Sequence, residues 1–111
     1  MTKDDGCALC GAISGELVDS AEVAVLQPLV TRAPVHLLVV PVRQFGSVTD
    51  MLATAPELMQ ALAAEALRRI RALRLDESGF RLVMNSGPDT DQTIGHPHLH
   101  VIGGMHLTPH P

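Results

Sequence analysis

The sequence has no tryptophan and no tyrosine, and only two phenylalanines. A platform that stacks successive bases needs aromatic faces, so this composition argues against a single-stranded nucleic-acid groove. The core must instead be built mainly from Leu, Val, Ala, Ile and Met, the bulk of an apolar content of 46%. Basic residues are also few: eight Lys and Arg stand against twelve Asp and Glu, a formal charge of −4. Proteins that neutralise a row of phosphates carry clustered cations, and no long basic run is present. The one cluster, Arg68, Arg69, Arg71 and Arg74, falls at the end of a predicted helix, where cations offset the helix dipole. No apolar stretch reaches the roughly 18 residues of a membrane span, so no membrane partner is expected. The opening MTKDDGCALCG lacks the apolar segment of a signal peptide. Its two cysteines stand too close together for a secreted disulfide framework, and a cytoplasmic setting is the expectation.

At 111 residues the chain is read as a single domain, 1–111. EVAVLQPLV, residues 22–30, reads as a strand that Pro28 interrupts or ends. VHLLVVP, 35–41, is a nearly continuous apolar run rich in β-branched residues, the pattern of a central strand. With the stretch around Ile13 to Val18 these make an antiparallel meander. A helix is expected over about 55–74. Thr54 and Glu57 form a T-x-x-E capping box, and Pro56 sits in the first turn. Met59, Leu62, Ala63, Ala66, Leu67, Ile70 and Leu73 give it one apolar face, with Glu65 and Arg69 paired on the other. DESG, 76–79, is read as its stop. FRLVMNSG, 80–87, and HPHLHVIGG, 96–104, supply further strands, so the fold class is α+β.

In an extended strand His96, His98 and His100 share one face, and Pro97, Leu99 and Val101 the other. The first face then presents three imidazoles at intervals of about 7 Å. Three readings compete. Imidazoles ligate metal ions, although same-face neighbours on one strand are rather far apart to converge on one ion. A ring nitrogen can attack phosphorus and form a covalent intermediate, with neighbouring imidazoles orienting it and supplying donors to phosphate oxygens. The third reading is polar residues that merely alternate on a sheet. Strict alternation opposite an apolar face, beside a loop rich in Gly, Thr and Asn, favours the second.

HPHLHVI resembles the His-φ-His-φ-His-φ-φ signature of the histidine triad (HIT) superfamily of nucleotide hydrolases and transferases. The likeness extends over roughly residues 7–111. NSGPDTDQTIGHPHLHVIGG looks like the branch of the histidine triad nucleotide-binding proteins, and APVHLLVVP is similar to the family's A-P-x-H-φ-L-φ-φ-P strand. The resemblance implies an antiparallel sheet of about five strands with the long helix packed on it, paired into a homodimer. It implies a hydrolase acting at the α-phosphate of nucleoside phosphoramidates or related conjugates of a purine nucleotide, with His98 as nucleophile. His36, His96 and His100 would orient it or bind phosphate oxygens, and Thr93 would assist the leaving group. Asn85, Gly87, Gln92 and Thr93 would contact the nucleotide. A binding or regulatory protein with little turnover and a dinucleoside polyphosphate hydrolase are the alternatives.

Three departures stand out. Relatives with C-x-x-C bind zinc through that pair, the first triad histidine and a histidine after the V-V-P strand. Here Cys7, Cys10 and His96 match, but Gln44 occupies the fourth position, and a neutral amide is a poor zinc ligand. The reaction itself requires no cofactor on this reading; the pair either holds a structural zinc with another group or is a remnant. Pro28 stands where the family carries an acidic residue for the ribose hydroxyls. Pro97 replaces an aliphatic residue between the first two histidines.

Overall fold

The computed structural model describes residues 16–17, 22–28, 33–90 and 96–109. Five strands form one antiparallel sheet: β1 (Glu16–Leu17), β2 (Val23–Leu26), β3 (Val35–Pro41), β4 (Phe80–Val83) and β5 (Leu99–Gly103). Their order is β1-β2-β3-β5-β4, which places β5 in the interior and β4 at one edge. Between β3 and β4 run three helices, α1 (Val48–Thr54), α2 (Pro56–Ala72) and the single turn α3 (Leu75–Ser78). The α+β class and the five-stranded antiparallel sheet are those expected from the sequence.

The two faces of the sheet have different jobs. Residues of odd number on β3 and β5, among them Val39, Leu99 and Val101, pack with Val23 against Met51, Leu58, Leu62, Ala66 and Ile70 of the helices. Leu62 and Met51 are wholly buried there, and removal of each such side chain from water contributes about 1.5–3 kcal/mol. The even-numbered face carries a small apolar cluster of Ala24, Leu38 and Val40, and beside it stand His36 and His100. The helix layer therefore holds β5 rigidly by its apolar side and leaves its histidine side for chemistry.

The helical region departs from the sequence reading in three places. First, Thr54 does not cap α2. It is the last residue of α1, and its hydroxyl donates to the Asp50 carbonyl at 2.8 Å. Pro56 is the cause: a proline disfavours helical backbone at the residue before it, and Ala55 accordingly sits at φ −149°. The break makes Pro56 the first residue of α2, which has no side-chain cap. The capping signal was present upstream, in SVTD, where the Ser47 hydroxyl accepts from the Asp50 amide at 3.0 Å. Second, α2 stops at Ala72 because Arg74 turns left-handed at φ 61°, and most of DESG forms α3 instead of a loop.

Third, the Glu65–Arg69 pair forms at 2.8 Å but on a covered face, since Glu65 is buried and also accepts from Arg68 at 2.8 Å. Burial pushes the Glu65 carboxyl up, yet the hydrogen bonds and charges of Arg69 and Arg68 outweigh it and hold the group below its ordinary value. Among the described residues, no helix is long and apolar enough to cross a membrane.

Candidate active site

Four histidines meet where β3 and β5 run side by side. Cross-strand register pairs Leu38 with His100 and His36 with Ile102, so His36 and His100 are diagonal neighbours on one face. His36 Nε2 and His100 Nδ1 lie 2.9 Å apart, close enough to share a proton. Placed on His36, that proton leaves His100 with a proton on Nε2, a donor to the open side. His36 is buried and His100 half-buried, so the inner ring fixes the outer one.

His98 is fixed differently. Its Nδ1 lies 2.8 Å from the main-chain carbonyl of His96, two residues back. A carbonyl oxygen only accepts, so Nδ1 must carry the proton and donate. In the neutral ring Nε2 then keeps its lone pair. The His98 ring also meets His100 edge-on, with centroids 5.1 Å apart, closer than the 7 Å or so of the bare strand repeat because the rings tilt together.

The stripe of three equivalent imidazoles is corrected in one respect. The regular ladder begins at Leu99, and His96 and His98 precede it. His96 is only 1% exposed, and its Nε2 donates to the Pro41 carbonyl at 2.8 Å across the end of β3. It thus braces the strand from within and is not displayed beside His98 and His100. Burial above all, and the neighbouring His98, hold the His96 ring below the usual imidazole range against the opposing effect of the Pro41 hydrogen bond. It is neutral at neutral pH.

The remaining candidates divide between described and undescribed segments. The antiparallel register carries the chain off β4 toward the His98 end of β5, which brings half-buried Asn85 and Gly87 to that end. Gly87 adopts φ +90°, and its carbonyl accepts from the Thr90 amide and hydroxyl at 3.2 and 2.7 Å, closing a tight turn. Gln92 and Thr93 lie outside the described residues, as do Cys7 and Cys10. Gln44 is exposed, and Pro28 is half-buried just past β2 with no polar side-chain atom to offer a sugar. Among the described residues no group of three or more His, Cys, Asp or Glu is placed to hold a metal ion. One residue that the sequence reading did not single out is Arg81, which the register of β4 sets in the cross-strand row of Ile102 and His36.

An imidazole locked through Nδ1 on a main-chain carbonyl so that Nε2 carries the lone pair, with a second imidazole ring 5.1 Å away, defines a centre suited to nucleophilic displacement. The comparisons with known proteins agree with that class. The HIT domain family model matches residues 16–107, and the chain belongs to the HIT domain family. It is 30% identical over 78 residues to a purine nucleoside phosphoramidase of Escherichia coli, covering 70% of this chain and 66% of that enzyme. The chain thus spans just under two thirds of the length of several curated relatives it matches, that enzyme included. Among solved structures, a HIT family hydrolase from Legionella pneumophila superposes with a TM-score of 0.80 at 29% identity, over 92% of this chain and 96% of that one. A histidine triad protein from Clostridium difficile shares the fold, with a TM-score of 0.85 at 24% identity over 95% and 96% of the two chains. The chain is therefore a HIT protein that resembles the family's hydrolases.

Proposed function

We propose that this protein hydrolyses nucleoside phosphoramidates or related nucleotidyl conjugates at the α-phosphorus, through a covalent nucleotidyl-histidine on His98. The observation that carries the reading is the 2.8 Å hydrogen bond from His98 Nδ1 to the His96 carbonyl. It holds the ring in the tautomer that attacks through Nε2 and aims that nitrogen off the sheet. In the first step the Nε2 lone pair forms a bond to phosphorus, the P–N bond to the leaving amine breaks, and the amine departs with a proton taken up from solvent. In the second, water adds its oxygen to phosphorus and gives up a proton to solvent, the P–Nε2 bond breaks, Nε2 regains its lone pair, and a nucleoside monophosphate leaves. His100, its tautomer set by His36, supplies an N–H to the non-bridging oxygens as their charge grows. His96 orients the strand from below. Asn85, Gly87, Gln92 and Thr93 contact the nucleotide, and Thr93 assists the leaving group.

The E. coli relative's purine nucleoside phosphoramidase activity supports a purine nucleotide conjugate as substrate, and a cytoplasmic setting belongs to the same proposal. Hydrolysis of adenosine 5′-phosphoramidate, with guanosine and uridine analogues in parallel, tests the reading. A second reading, nucleotide binding with little turnover, is favoured by Pro28 in place of a ribose-binding carboxylate. Nucleotide binding without hydrolysis of any of the three substrates would select it, and turnover of a dinucleoside polyphosphate alone would select the third.

Two assembly features accompany the proposal. A homodimer is supported by β4, whose outer edge is the end of the sheet and which exposes Phe80 and Leu82. A second copy pairing along that edge would cover both. Leu82→Lys is expected to halve the solution mass, and a native protein that sedimented as a monomer would refute the pairing. No cofactor takes part in the displacement. A structural zinc would fall to Cys7, Cys10 and His96 Nδ1, since His96 Nε2 is engaged by Pro41. Near-stoichiometric zinc that falls away in Cys7→Ser is the expected result of metal analysis; a metal-free native protein would remove the site.

A further inference from the structure

Beyond β5, residues 104–109 leave the sheet, and a long-range hydrogen bond from Arg81 holds them. Gly104 leaves β5 at φ +88°, and a Cβ on it would lie 3.2 Å from the Pro34 Cβ and 3.4 Å from the Val35 amide. The turn is therefore packed against the start of β3, on one side of β5. At Thr108 the chain has come within reach of β4 on the other side, its carbonyl accepting from Arg81 Nη2 at 2.7 Å. Segment 104–108 thus runs past the end of β5 from the start of β3 to the Arg81 guanidinium.

The sheet register says what it crosses beside. Arg81 pairs with Ile102, and Ile102 pairs with His36, so these three form one cross-strand row on the histidine face. The adjacent row is Val83, His100 and Leu38, one pleat repeat or roughly 7 Å away. The crossing segment accordingly bounds the His36–His100 end of the site, opposite the His98 end where Asn85 and Gly87 arrive.

We propose that Arg81 is a positioning residue: with the nucleotide held from the Asn85 and Gly87 end, the leaving amine lies toward the His36–His100 end, and Arg81 through Thr108 latches the C-terminal segment there as a wall that limits its size. The inference rests on the hydrolase reading for its substrate but not for the latch itself. Arg81 is half-buried, and its charged donor on a main-chain carbonyl makes a stronger bond than a neutral pair. Loss of the donor frees the segment without touching any of the four histidines. A lysine keeps a cation that can reach the same carbonyl.

The test compares native protein, Arg81→Met and Arg81→Lys on adenosine 5′-phosphoramidate and on the same compound carrying a bulky aryl amine. Arg81→Met is expected to narrow the preference for the small leaving group by about fivefold to tenfold, the worth of one such bond, chiefly through KM. Its kcat on the small substrate should stay within about twofold, and Arg81→Lys should restore most of the preference. Hydrogen exchange of residues 105–109, measured without substrate, should quicken in Arg81→Met while β5 amides keep their protection. Equal loss on both substrates overturns the wall, and unchanged exchange at 105–109 overturns the latch. Should the native protein hydrolyse neither substrate, the reaction proposal fails and the exchange result still decides the latch.

Discussion

His98→Ala is expected to abolish turnover of adenosine 5′-phosphoramidate, lowering kcat/KM by about four orders of magnitude, or about 5 kcal/mol of transition-state stabilisation. The size follows from what is lost. Covalent catalysis splits one hard displacement into two easier ones, and none of the other three site imidazoles is placed to take over. His36 and His100 are committed to each other at 2.9 Å, and His96 is buried with its Nε2 on Pro41. The fold should hardly notice. His98 precedes the β5 ladder and is half-buried, so its removal should move the melting temperature by no more than about 4 °C. Residual activity within tenfold of native would mean that phosphorus is attacked by something else. Nucleotide binding retained in His98→Ala, together with an inactive native protein, would move the account to the binding role.

His96→Ala is expected to do the reverse, costing stability first. The ring is 1% exposed and donates to the Pro41 carbonyl, so its loss opens a cavity and leaves a buried acceptor unpaired. Together these cost about 2–4 kcal/mol, a fall in melting temperature of roughly 10 °C or more in a domain of this size. His96→Phe separates the two causes, because it refills the space without restoring the donor and should cost about 1–3 kcal/mol. Either variant keeps the main-chain carbonyl that fixes His98. Activity of the folded fraction should therefore fall by no more than about a hundredfold, far less than in His98→Ala. A His96→Phe variant as inactive as His98→Ala, at unchanged stability, would show that the His96 ring itself acts on the substrate.

The contrast between these residues marks what a sequence can and cannot display. Alternation placed His98 and His100 on one face correctly, because a strand buried on its other side has only one choice. The apolar run at 35–41 is β3 residue for residue, and the helix expected over 55–74 is α2, 56–72. Boundaries that depend on backbone details were less legible: TAPE at 54–57 has the form of a capping box, but Pro56 breaks the helix before it and leaves Thr54 at the end of α1. The distinct states of the histidines were not visible at all. Burial of His96 under Pro41, 55 positions away, and the link between His36 and His100, 64 positions apart, are consequences of strand pairing. Arg81 was missed for the same reason, since its partner is the Thr108 carbonyl and a backbone acceptor leaves no mark in composition. The covered position of Glu65 likewise follows from packing, which helical periodicity alone had set on the open face.

The stereochemical course at phosphorus tests the central claim most directly. A P-chiral adenosine 5′-phosphoramidothioate of known configuration, hydrolysed by the native protein in isotopically labelled water, reports how many displacements occur. Each in-line displacement inverts the centre. Passage through His98 Nε2 and then water predicts net retention, with the label in the product. Net inversion would mean that water attacks phosphorus directly, and the nucleotidyl-histidine account would be wrong.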